Sequence, residues 1–118
     1  MPFAPDVLQW HGDEITELPP RAVLLAASTR YLHQAFRVGD AAWGLQFHIE
    51  CDTAMVADWA ATTPAELADL GIDPGELVDA CDAIMPDLEE VWRPFALRFA
   101  AIALGTLKPG AGRELPVI

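Results

Sequence analysis

Apolar residues follow one pattern before about residue 50 and another after it. In the first part they come in short runs. Val7-Leu8-Gln9-Trp10 is one such run, stopped by His11-Gly12-Asp13. Ala22 to Ser28 (AVLLAAS) is a continuous apolar segment after Pro19-Pro20, which predicts a strand buried on both faces. Gln34–Val38 and Ala41–His48 flank Gly39-Asp40, a pair of residues suited to a two-residue hairpin turn. The expected order is strand, loop, strand, then a hairpin whose second strand ends at His48.

Beyond residue 50 the apolar spacing changes to three or four. Asp52 is placed to cap a helix carrying Met55, Val56, Trp59 and Ala60 on one face. Thr63-Pro64-Ala65-Glu66 predicts a capping box with proline in the first helical position, and Gly71 a stop. Asp73-Pro74-Gly75-Glu76 repeats the start signal. From there Leu77, Cys81, Ile84, Leu88, Val91, Phe95, Phe99 and Ile102 form one apolar stripe, expected to be bent or broken at Pro86 and Pro94. From Lys108 onward the Gly- and Pro-containing tail is expected to fray. These signals give a strand region (1–50), a helical region (51–107) and a tail (108–118). No repeat or linker divides them, so the expectation is a single α/β domain.

Composition narrows the partners. The 118 residues are 53% hydrophobic, too apolar to stay solvated without a core. Eighteen Asp and Glu against seven Lys and Arg leave a net charge of −11. That charge argues against nucleic acid, whose binding relies on Lys and Arg neutralising phosphates, and against an anionic membrane surface. Nine acidic residues and no Lys or Arg lie between Glu66 and Glu90, which predicts a solvated helix face. Before Arg21 there is no Lys or Arg to form the charged start of a secretory signal. The longest apolar stretch, Phe95 to Leu107, holds Arg98 and Gly105 and is shorter than the roughly 18–20 residues that span a bilayer. Two cysteines make no disulfide framework, and the expected location is the cytoplasm.

The segment Trp43-Gly44-Leu45-Gln46-Phe47-His48-Ile49-Glu50 carries the most chemistry. On a strand, residues two apart share a face, so His48 and Glu50 point together while Phe47 and Ile49 turn to the core. A carboxylate beside an imidazole accepts its Nδ1 hydrogen, fixes the tautomer and stabilises the imidazolium. The other ring nitrogen then takes a proton from a nucleophile. Such pairs also occur as ordinary strand-end polar residues. His11, His48, Glu50 and Cys51 lack the ligand spacing of a zinc site. His33 is expected at the surface or an edge. The tryptophans at 10, 43, 59 and 92 read as core, with Trp10 also placed to touch a ligand.

Gln46-Phe47-His48-Ile49-Glu50 resembles the Q-F-H-P-E strand end of class I glutamine amidotransferases, with Ile49 where proline is usual. Gln9-Trp10-His11-Gly12-Asp13, followed by Leu18-Pro19, is similar to the W-x-S-H-G-D…L-P stretch of the GMP-synthase-like branch. Gln34-Ala35-Phe36-Arg37 matches its Q-A-F-R hairpin strand. Three motifs agree in order and spacing from Val7 to about Trp59; the helical remainder matches loosely.

The resemblance implies a flavodoxin-like α/β domain, present here as its C-terminal half. The family hydrolyses the glutamine side-chain amide with a Cys–His–Glu triad, through a γ-glutamyl thioester, and releases ammonia without a cofactor or metal in that step. By position, His48 is then the general base, Glu50 its orienting partner, and Trp10, Gly12 and Asp13 line the glutamine pocket. The family's nucleophile sits in an upstream G-x-C-x-G elbow, and this sequence contains no such motif. Cys81 falls on the apolar stripe, where a buried inert thiol is expected. Cys51 on a continuing strand would point away from the His48–Glu50 face.

The expectation is a chain inactive alone that acts on glutamine or a γ-glutamyl compound with a partner chain bearing the cysteine, or that forms a homo-oligomer. Three alternatives stay open: a non-catalytic binding or regulatory half-domain, a γ-glutamyl hydrolase of the same fold, and a natural chain longer than this sequence.

Overall fold

The computed structural model describes residues 2–109. They divide into two compact units, one formed by 9–47 with 94–109 and the other by 2–8 with 48–93. The division falls inside the last helix, next to Pro94.

The first unit holds a three-stranded antiparallel sheet in the order β1 (Ala22–Ala26), β2 (Ala35–Val38) and β3 (Ala42–Leu45). A turn leads into β1: the Ala22 N–H donates to the Pro19 carbonyl at 3.1 Å, with Arg21 at φ +64°. That left-handed position suits glycine, so the arginine there stores about 1–2 kcal/mol of backbone strain. Between Leu24 and Ala26 the β1–β2 register slips by one, leaving Leu25 as the extra residue of a bulge. The hairpin turns at Gly39, whose φ of +62° a side chain would resist. Across the hairpin Phe36 pairs with Gly44, and its ring lies over the glycine. A Cβ on Gly44 would come within 2.5 Å of Phe36 Cε1. On the helical side of this unit, Trp43 meets Phe99 edge to face at 6.1 Å.

β1 departs from expectation. Its AVLLA run predicts burial on both faces, yet Val23, Leu24 and Leu25 are 46%, 41% and 53% exposed. The reason is topological: among the described residues β1 is an edge strand, hydrogen-bonded to β2 alone. The hairpin's second strand also ends early, at Leu45 rather than His48. Gln46 still pairs, donating its N–H to the Gln34 carbonyl at 2.8 Å, after which the ladder stops.

The second unit is helical. Its N-terminal segment, expected as a strand over Val7–Trp10, forms only an isolated antiparallel bridge, Leu8 to His48. Asp52 caps α1 (Thr53–Thr62) as expected, its Oδ1 accepting the Met55 N–H at 2.8 Å. The capping box at Thr63 does not form. The Thr63 hydroxyl instead donates to the Trp59 carbonyl at 2.8 Å, closing the end of α1, and no side chain caps α2 (Pro64–Asp69). Gly71 stops α2 at φ +69°, with the Ile72 N–H returning to the Leu67 carbonyl at 2.9 Å. Asp73 Oδ1 accepts the Glu76 N–H at 2.9 Å and starts α3 (Pro74–Ala103).

α3 runs as one helix through Pro86 and Pro94, so of the expected bend or break the break does not occur. Each proline forfeits one helical hydrogen bond. The compensating burial comes from Cys81 and Leu88 on the predicted stripe and from Trp92 beside it, all three buried. Phe99, expected on that stripe, is 54% exposed. The core of this unit is completed by Leu8, Cys51, Val56, Ala60 and Leu67. All nine acidic residues from Glu66 to Glu90 are exposed, as a solvated face requires. Among the described residues no helix is long and apolar enough to cross a membrane. The expected frayed tail lies, beyond residue 109, outside the described residues.

Candidate functional site

The end of the hairpin delivers His48 to the bridge with Leu8, where the His48 N–H donates to the Leu8 carbonyl at 2.9 Å. Phe47, just before it, is buried, and Ile49, just after it, is half-buried. Phe47 turns to the core as expected, but His48 is half-buried like Ile49, so the full alternation of a strand is lost where the strand ends.

His48 and Glu50 share a face and touch. His48 Nδ1 donates to Glu50 Oε1 at 2.6 Å. The second carboxylate oxygen, Oε2, accepts the Ile49 N–H at 3.0 Å. A proline at 49 has no N–H to give, so the replacement of the usual proline by isoleucine supplies a further grip on the carboxylate. The imidazole also leans on Trp59, ring centroids 5.3 Å apart. With the carboxylate held at both oxygens, the ring is fixed with the hydrogen on Nδ1. Nε2 is then the atom from which the ring would exchange a proton with a reacting group.

Burial raises the Glu50 carboxyl pKa, but the His48 hydrogen bond and charge and the backbone N–H groups outweigh it and hold the value below the ordinary one. Because its folded pKa is depressed, Glu50 contributes stability above the ordinary carboxylate pKa. That contribution is lost as pH falls through the folded value. The carboxylate is 58% exposed, so the effect is small. Urea midpoints measured across the acid range should fall in the native protein and flatten in Glu50→Gln; equal slopes would show that the contact is not formed.

Cys51 and Cys81 are buried free thiols. Burial pushes both pKa values up, and the Glu50 carboxylate raises that of Cys51 further, so each stays protonated rather than thiolate. Among the described residues no three His, Cys, Asp or Glu side chains gather as a metal site would need.

Trp10, Gly12 and Asp13, the remaining expected site residues, belong to the other unit. Trp10 is half-buried, while Gly12 and Asp13 are exposed. No heavy atom lies within 4 Å of where a Cβ on Gly12 would sit, so the backbone is open to a ligand there. Their loop is shaped from within. His11 Nδ1 donates to the Asp13 carbonyl at 2.5 Å, and the His11 ring meets the edge of Tyr31 at 4.9 Å. Over Tyr31 lies the Arg30 guanidinium, 5.4 Å from the ring centre. His33, expected at the surface or an edge, is half-buried and donates from Nδ1 to the Ile15 carbonyl at 2.7 Å.

Sequence reasoning gave no role to Gln9, Gln34 or Tyr31. The available signal was Gln34, a glutamine directly before the Ala-Phe start of β2; it is only 3% exposed.

No protein-family model and no curated protein matches the chain. Solved structures do. A glutamine amidotransferase from Thermotoga maritima superposes with a TM-score of 0.69 at 35% identity, covering 79% of this chain and 40% of that one. A glutamine amido transferase from Methylobacillus flagellatus gives 0.66 at 25% identity, covering 93% and 46%. The chain thus spans less than half the length of these solved relatives. Over most of its own length it has the class I glutamine amidotransferase fold.

Proposed function

We propose that this chain supplies the His–Glu part of a Cys–His–Glu glutaminase site of the GMP-synthase-like branch, acting on glutamine or a γ-glutamyl compound. The observation that carries this reading is the 2.6 Å His48–Glu50 contact on an amidotransferase fold, with the carboxylate held at both oxygens. His48 Nε2 takes the thiol proton of a cysteine that attacks the side-chain amide. The imidazolium, steadied by Glu50, returns the proton to the leaving ammonia, and water then releases glutamate from the thioester. Trp10, Gly12 and Asp13 hold the amino acid end of the substrate.

The cysteine comes from elsewhere. The sequence has no G-x-C-x-G elbow, and its two thiols are buried and held protonated. The remainder of the domain, on a partner chain or in the same polypeptide, fits the exposed apolar β1 edge, which is the kind of strand that pairs with a further strand. A second copy of this chain could cover that edge but would bring no elbow.

Calorimetric titration with glutamine tests the pocket. Binding is expected, weakened about tenfold or more by Asp13→Ala or Trp10→Ala, since each removes a direct contact. Absence of binding to the chain with or without its partner would leave a non-catalytic interaction module as the better reading.

A further inference from the structure

Gln34 is the buried polar side chain among the described residues, and it sits where three segments of its unit meet. Its backbone N–H donates to the Ala26 carbonyl at 3.0 Å, and its carbonyl accepts the Gln46 N–H at 2.8 Å. Gln34 therefore ties the end of β1 to the residue two before His48 in the chain. The side-chain amide is used at both ends. Gln34 Nε2 donates to Ser28 Oγ at 3.0 Å, and Gln34 Oε1 accepts from Gln9 Nε2 at 3.1 Å.

The line of hydrogen bonds continues past Gln9. His11 Nε2 lies 2.8 Å from Gln9 Oε1 and His11 Nδ1 lies 2.5 Å from the Asp13 carbonyl, two acceptors that the ring serves together only as imidazolium. At the far end Ser28 Oγ donates to the Tyr31 carbonyl at 3.2 Å and accepts the Tyr31 N–H at 3.0 Å. The amides of Gln9 and Gln34 both donate in one direction, towards Ser28, whose hydroxyl donates into the Tyr31 carbonyl and accepts the Tyr31 N–H in return. One side chain cannot reverse without reversing its neighbour, because an amide that turns round presents a donor to a donor. The Tyr31 ring closes the figure against His11 at 4.9 Å.

We infer that Gln34 is a positioning residue: through Gln9 and His11 it sets the conformation of the loop carrying Trp10, Gly12 and Asp13. Gln34 does not itself reach substrate. Its burial makes the role costly to lose, since an amide with one partner removed leaves the other unsatisfied away from water. The inference deepens the proposed glutamine pocket and rests on that reading for its effect on affinity, though not for its effect on the loop.

The test compares the native chain with Gln34→Met and Gln9→Met, a buried and an exposed end of the same relay. Nitrogen NMR of the His11 ring at one fixed pH reads the coupling, because the hydrogen bonds link Gln34 to His11 by way of Gln9. In Gln34→Met the Nε2 signal is expected to shift, with hydrogen exchange at the Gly12 and Asp13 amides faster by about tenfold. The β2–β3 amides should stay protected. Glutamine affinity should drop about tenfold in either variant and little further in the double variant, as for residues acting through one another.

An unmoved Nε2 signal and unchanged exchange in Gln34→Met would overturn the inference. If Gln34→Met does not fold, Gln9→Met decides it by the same loop exchange, with unchanged exchange overturning it. Native protein that fails to bind glutamine but shows the shifted ring signal in Gln34→Met would remove the pocket reading and leave the relay standing.

Discussion

Joined in one polypeptide to the part of the Thermotoga maritima relative that lies outside the matched region, the chain is expected to release glutamate from glutamine, and His48→Ala to lower that rate about 10²- to 10⁴-fold. Fusion removes the association step, so a lost rate reports chemistry rather than docking. The magnitude follows from the role. Without the imidazole, a cysteine with an ordinary pKa is largely thiol at neutral pH, and the leaving nitrogen has no placed acid. Since His48 acts on the thiol and the leaving group, the loss should fall on kcat with KM nearly unchanged. Glu50→Gln should lose less, because the carboxylate is 58% exposed and partly screened by water. The chain on its own should release no glutamate above background. His48-dependent turnover by the isolated chain would overturn the assignment, as would a fusion indifferent to His48→Ala.

How much of this was legible in the residues depends on the range over which each signal acts. Asp52 and Asp73 cap their helices because a cap needs only a carboxylate and an N–H three residues on. Gly71 stops α2 for an equally local reason, its φ of +69°. The His48–Glu50 contact was legible because two residues on extended backbone share a face whether or not a full strand forms. Thr63 shows the limit of such reasoning. The capping box was present in sequence, but its hydroxyl had a competing acceptor in the Trp59 carbonyl and took that instead.

The features that were not legible all depend on what lies beside a segment. The AVLLA run of β1 has the composition of a strand covered on both faces, and composition carries no information on whether the covering residues are in the same chain. The prolines of α3 predict a bend or a break, but Leu88 on the stripe and Trp92 beside it are buried between them, and packing keeps the helix in one piece despite a lost hydrogen bond. Gln34 is the sharpest case. A glutamine at the start of a strand is unremarkable until Gln9 and Ser28, 25 and six residues away, arrive at its two amide atoms.

Trp92→Ala is expected to cost about 3–5 kcal/mol, the range for truncating a large buried aromatic. Native domains are stable by only about 5–15 kcal/mol, so the variant should show a much lower urea midpoint by circular dichroism. Trp92 is 7% exposed on α3, and its indole N–H donates to the Asp6 carbonyl at 2.9 Å, across 86 positions of sequence. That bond ties the N-terminal segment to the helix. Trp92→Phe keeps most of the volume but leaves the carbonyl without its donor, which should cost about 1–3 kcal/mol. The tether also reaches the chemistry. Two residues beyond Asp6, the Leu8 carbonyl accepts the His48 N–H, so loosening the segment loosens the backbone that presents the imidazole. Hydrogen exchange at the His48 amide should therefore quicken in Trp92→Phe while the amides of β2 and β3 keep their protection. A Trp92→Ala variant within 1 kcal/mol of native, or a His48 amide that exchanges at the native rate in Trp92→Phe, would mean that the N-terminal segment holds its place by other contacts.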